Sequence, residues 1–214
     1  MVSIHMTGTI VFLGEFVPAR MHLEQGMALY DSQQHKSLPF LHGGTDFGTD
    51  CLSYAALALW LLGYPEQALG KKHEMLALAD NLTHSLSWGR ARVFAAWLHQ
   101  VRREASAIPD LVETAITLFE EQGPWQGLGL GMILRGWALA EQGQEAEGIS
   151  QMHEGLDTFQ ALGGSRLSVS SHLVRMAEVY GKIGELRVDL RGYTKHRCLL
   201  MRLMNAGTKR NFIV

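Results

Sequence analysis

Residues 52–71 (LSYAALALWLLGYPEQALGK), 92–111 (RVFAAWLHQVRREASAIPDL), 132–151 (MILRGWALAEQGQEAEGISQ) and 173–192 (LVRMAEVYGKIGELRVDLRG) begin 40, 40 and 41 residues apart and carry matching residue types at matching places. A period of about 20 to 50 residues decides an architecture before any single motif does. The fifth place holds Ala56, Ala96, Gly136 and Ala177. All four are small, as needed where the two helices of a hairpin approach closely. Seven places on come Gly63, Arg103, Gly143 and Gly184. The three glycines fit a turn that ends one helix and lets the chain fold back.

Each block therefore reads as helix, short turn, helix. The second helices lie near residues 65–82, 108–122, 145–162 and 185–204, with apolar residues at three- and four-residue spacing. Segments 37–48, 85–87, 123–125 and 163–165, which contain glycine, proline or serine, read as links between hairpins. Gly14 looks like an earlier turn glycine, although it precedes Gly63 by 49 residues rather than about 40. The β-branched cluster around Ile10 and Val11 is too short to argue for a sheet. The expectation is an all-α chain forming one solenoid over residues 1–214. It comprises a partial hairpin over 1–36, repeats over about 49–82, 88–122, 126–162 and 166–204, and a divergent tail over 205–214.

The chain has 214 residues, 47% of them hydrophobic, enough for one continuous core. Nineteen Lys and Arg stand against 21 Asp and Glu, a formal charge of -2 that offers no field for phosphate backbones or anionic lipid. Nucleic acid is not an expected partner. The longest apolar run, residues 54–62, is about half of what a membrane span requires, so no membrane partner is expected either. No Lys or Arg precedes the short apolar run at 10–13, so a secretory signal is not supported. Cys51 and Cys198 lie far apart and outside any CxxC pairing, as reduced thiols do. The expected location is the cytoplasm.

These columns resemble the tetratricopeptide (TPR) repeat, which has a small residue in its first helix, a glycine at the turn and alanines in the second helix. The period here exceeds the usual one of about 34 residues, which implies longer helices or linkers. Ala68 and Ala115 fit the second-helix alanines, whereas Met75, Ile108, Gly148, Gly155, Asp189 and His196 stand in their counterparts. The wording is also similar to the helical-repeat region that follows the ATPase module in large bacterial cyclase-like and predicted-ATPase regulatory proteins. Residues 19–31 (ARMHLEQGMALYD), 59–69 (LWLLGYPEQAL), 76–84 (LALADNLTH) and 135–144 (RGWALAEQGQ) carry that similarity, which spans residues 8–184. The resemblance implies a right-handed α-α superhelix of about four to five hairpins. It further implies a scaffold in bacterial signalling or regulation, a protein or peptide partner, no cofactor and no catalysis.

Motifs of other chemistries are incomplete. Gly70-Lys71-Lys72 lacks the upstream glycine and the hydroxyl residue of a P-loop. Gly127, Gly129 and Gly131 keep no GxGxxG frame after a strand, and read instead as close packing of a glycine-rich helix. His42, Asp46 and Asp50 match neither an EF-hand nor a zinc spacing. Asp46 or Asp50 is expected as the N-cap of the helix that begins near Cys51. The ten histidines form neither HExxH nor an i, i+4 pair, so no metal site is expected.

The constellation that stands out is aromatic. Trp97 and Trp137 share a column of successive repeats, with Leu57 and Glu178 as its other members. In a TPR-type solenoid that face lines the concave surface. Trp60, Arg90, Gln100 and Glu141 project from nearby columns, so Trp60, Arg90, Trp97, Gln100, Trp137 and Glu141 are the candidate partner-binding residues, a mix that suits a peptide segment. Two alternatives stand beside this. The tryptophans serve as core fillers between hairpins, or a pocket beneath them holds a small-molecule effector. A detached fragment of a larger regulator is a further reading. Neither residues 10–13 nor 198–203 look like polar caps, which predicts a homodimer through apolar end hairpins.

Overall fold

The computed structural model describes residues 4–35, 37–39, 44–122 and 125–182. Helices α1 (Ile4–Phe12) and α2 (Phe16–Leu29) form the first hairpin, followed by the single turn α3 (Ser32–His35). Three longer units follow: α4 (Phe47–Leu61) with α5 (Pro65–Asn81), α6 (Ser85–Val101) with α7 (Pro109–Gln122), and α8 (Gln126–Glu141) with α9 (Glu145–Ala161). Helix α10 (Arg166–Lys182) opens the next repeat. Among the described residues there is no strand, and the chain is an all-α helical solenoid. The expected helix over 185–204, the tail over 205–214, Gly184 and Cys198 lie outside the described residues.

The turn column is a column of left-handed backbone. Gly14, Gly63 and Gly143 have φ of 83°, 85° and 86°, and Arg103 occupies the same place with φ 66°. Each turn closes alike: the amides of Glu15, Tyr64, Glu104 and Gln144 donate to the carbonyls of Ile10, Leu59, His99 and Leu139 at 2.9–3.1 Å. This is the double-bonded helix ending in which a residue of positive φ reverses the chain. A side chain in that region costs about 1–2 kcal/mol. Arg103 is the one residue of the four that bears it. Its guanidinium reaches α10, where both nitrogens bond the Glu178 carboxylate at 3.0 and 2.8 Å. Pro109 starts α7 after a 3-10 turn (Ala105–Ala107), so that helix begins without a donor where none is needed.

Of the small column, Ala56, Ala96 and Gly136 are buried and Ala177 is half-buried. Ala56 and Ala96 are buried at 3% and 0% exposure. In α8 and α9 glycine goes further. A Cβ on Gly136 would meet the Gly148 carbonyl and the Met152 backbone, and one on Gly129 would meet the Phe159 backbone and the Gly155 carbonyl, all within 3.0 Å. Gly148 and Gly155 return the same constraint from α9. Gly129 with Gly136 and Gly148 with Gly155 are each seven residues apart, two turns of helix, so the two backbones run against each other along a seam. The glycine-rich run of α8 is thus a packing device. One hydrophobic core, with Phe119, Ile133, Trp137 and Met152 among its enclosed residues, runs from α4 to α10.

Asp46, at 0% exposure, is the N-cap of α4, accepting the Thr49 amide at 2.8 Å. It also accepts the Tyr30 hydroxyl at 2.8 Å, and its own amide donates to the Ser87 hydroxyl at 2.7 Å. Asp46 therefore starts a helix with its side chain and, through side chain and amide together, ties Tyr30 at the end of α2 to α6. Cys51 is buried, and burial pushes its thiol up to about 12, consistent with a small apolar residue.

Candidate functional site

The first helices of successive hairpins face inward, and between them lies a cavity of about 740 Å³. Phe12 of α1, Tyr54 of α4, Phe94 and Trp97 of α6, Leu130 of α8 and His172 of α10 all line it, with Pro39 and Thr45 closing one side. The volume lies within the range of about 300–1,000 Å³ that small-molecule sites occupy.

The walls follow from the repeat. Tyr54 and Phe94 are equivalent residues of adjacent repeats and meet edge to face at 5.3 Å. Phe94 then leans on Trp97, one helical turn further, at 5.5 Å. Phe12 stacks on the far side of Trp97 at 5.9 Å with 23° between ring planes. Helix α1 therefore lies across the concave face. Its stacking explains why Trp97, expected along an open groove, is only 5% exposed.

Asp50 and Arg90 supply the charge. They are also equivalent residues of adjacent repeats, they pair at 2.6 Å, and their side chains are 7% and 12% exposed. Thr45 donates its hydroxyl to the other Asp50 oxygen at 2.8 Å. The Arg90 guanidinium lies 4.8 Å from the Phe94 ring centre and 5.5 Å from that of Trp125. It is an aromatic-boxed, neutralised cation.

His172 differs from these groups. It is 1% exposed, wedged against Phe159 at 5.3 Å and Trp97 at 5.9 Å, and neither ring nitrogen has a hydrogen-bond partner among the described residues. Burial, reinforced by the neighbouring Arg175, lowers its pKa well below the usual histidine value, so it is a neutral imidazole at pH 7.

Of the six candidate residues, the fold brings Arg90 and Trp97 to the cavity and sends the others elsewhere. Trp137 is fully enclosed at 0% exposure, because the glycine seam lets α9 close over α8. Gln100 is buried at 3%. Trp60 sits near the α4–α5 turn, half-buried under the Arg102 guanidinium at 5.3 Å. Glu141 pairs with Lys182, its equivalent in the next repeat, at 2.5 Å. Trp97 and Trp137 thus do not form one exposed aromatic face. Tyr54, Phe94 and His172 were missed by sequence reasoning, although the first two form a column of their own. His172 carries no signal, since its burial depends on where α10 lands.

A second polar cluster lies outside the cavity. The Lys72 ammonium is 3.2 Å from His99 Nε2, whose Nδ1 is 2.6 Å from Glu104, and Glu104 also accepts from Arg102 at 2.6 Å. Arg102 and His99 together hold the Glu104 carboxyl down at about 2. Lys72 is driven below its ordinary value, first by burial and then by Arg102. Among the described residues no three His, Cys, Asp or Glu side chains gather into a metal-binding group, and no helix is long and apolar enough to cross a membrane.

No protein-family model matches the chain, and no curated protein does. Solved structures do. A putative kinesin light chain from Podosopora anserina with nearly identical TPR-like repeats superposes with a TM-score of 0.53 at 15% identity, covering 97% of this chain and 95% of that one. The fold is TPR-like. A variant of that kinesin light chain matches with the same TM-score at 13% identity, over 95% of this chain and 92% of its own. At these identities the likeness concerns architecture.

Proposed function

We propose that this chain is a non-catalytic TPR-like module that holds a compact ligand in its concave cavity. The observation that carries this is the cavity itself, about 740 Å³, walled by the inner helices of every described repeat. An open groove for a long peptide is less well supported, because α1 stacks across the concave face through Phe12 and Trp97. A concavity with aromatic walls and a few placed polar groups is the ordinary form of a small-molecule site.

The test is thermal unfolding against a panel of metabolites, with Gln126→Trp, at the cavity wall, as a blocked control. A ligand at 100 times its Kd stabilises the fold by about 2.7 kcal/mol. Stabilisers lost in the blocked variant support the reading. A panel without stabilisers, or stabilisers indifferent to the block, would refute it.

A second reading concerns protein contact and rests on a separate observation. Leu13, Val17 and Met21 are 53%, 59% and 57% exposed and recur every four residues from the first turn along α2, while Leu29 at its end is 72% exposed. This apolar stripe fits association of two copies of the chain through the first hairpin.

A further inference from the structure

Among the described residues that line the cavity, His172 is a buried side chain with unused hydrogen-bonding capacity. The Asp50 carboxylate and Arg90 guanidinium neutralise each other at 2.6 Å, and Thr45 bonds the carboxylate. His172 is buried with both ring nitrogens unpaired among the described residues. A buried polar group without a partner is destabilising, and in native proteins such groups call for an explanation.

We infer that the cavity binds a neutral, flat, largely apolar small molecule that presents one hydroxyl or amide group to His172. This rests on the cavity being a ligand site and specifies what enters it. The rings of Phe94, Trp97 and Phe159 favour a planar apolar body. A charged ligand would give up its hydration, and the ion pair among the described lining residues is already closed. A pure hydrocarbon would fill space and leave His172 unmet. A neutral imidazole offers one N–H and one lone pair, and a hydroxyl or amide answers either. The lowered pKa of His172 agrees with this neutral form.

Three probes with one shared frame separate the alternatives: 2-naphthol, naphthalene and 2-naphthoate, titrated by fluorescence into the full chain at pH 7.5. The expected result is 2-naphthol binding about tenfold more tightly than either of the others. His172→Phe removes its margin over naphthalene without weakening naphthalene itself. His172→Gln, which keeps a donor and an acceptor, retains part of the margin and serves if the phenylalanine variant does not fold. Preference for 2-naphthoate, or a margin that survives His172→Phe, overturns the ligand class while leaving the cavity as a ligand site. Absence of binding by all three probes, or binding unchanged in Gln126→Trp, overturns the cavity reading and this inference with it.

Discussion

Asp50 and Arg90 hold the same register position in successive repeats and meet at 2.6 Å, so an ion pair spans two stacked hairpins sideways. Both side chains are mostly buried, which makes the cost of removing one partner large. Arg90→Ala leaves an unpaired buried carboxylate and is expected to lower stability by about 3–5 kcal/mol. The double variant Asp50→Asn with Arg90→Met should lose much less. Urea denaturation of both variants checks this, and equal losses would mean that the pair matters only through packing.

The glycine seam makes a prediction of opposite sign at two helical glycines. Gly70 in α5 has nothing within 4 Å of a built Cβ, whereas Gly148 in α9 faces the Gly136 carbonyl and the Ala140 backbone. Gly70→Ala should stabilise by about 0.5–1 kcal/mol through helix propensity. Gly148→Ala should lose about 1–3 kcal/mol through overpacking, despite the same gain in propensity. Melting temperatures moving together for the two variants would refute the close approach.

Three histidines should make the fold acid-sensitive. Burial lowers the pKa of His84, His99 and His172, most strongly for His172. The unfolded chain then binds more protons than the folded one between those lowered values and the ordinary value of about 6.5. Stability is therefore full above about pH 6.5 and falls as pH drops, by about 1.4 kcal/mol per pH unit for each proton difference. Glu104, held near 2, adds a loss below about pH 4.5 as its carboxyl protonates. Urea midpoints at pH 7.5 and 5.5 test this, with His172→Phe expected to flatten the dependence. A midpoint that rises on acidification would contradict it.

The exposed stripe on the first hairpin predicts self-association. Light scattering of the unmodified chain should report a dimer at micromolar concentration, and Val17→Glu with Met21→Glu should restore the monomer without changing the melting curve of the monomeric fold. A monomer at every concentration would remove the second reading of the function.

What was legible in the sequence is what one repeat determines by itself. The turn residues at Gly14, Gly63 and Gly143 and the crossing residues Ala56, Ala96 and Gly136 depend on contacts inside one hairpin, so their columns announced them. Lateral contacts were half legible. Asp50 with Arg90 and Glu141 with Lys182 are equivalent residues of opposite charge, and stacking alone brings them together. Sequence reading put Arg90 and Glu141 on the right helices without joining them to their partners. Contacts set by the curvature of the whole stack were not legible. Phe12 on Trp97, and His172 between Trp97 and Phe159, join elements whose separation in the chain no local pattern encodes. The cavity is made of those contacts.

Between α8 and α9 two main chains touch with no side chains interposed, and such a joint has no slack. Shear between those helices would require one peptide unit to climb over another, so the third long hairpin behaves as a keel. Elastic deformation of the solenoid then falls to the connections between hairpins, such as residues 82–84 and 162–165. Any motion that opens or tightens the curl is pivoted there, with the keel travelling as one body.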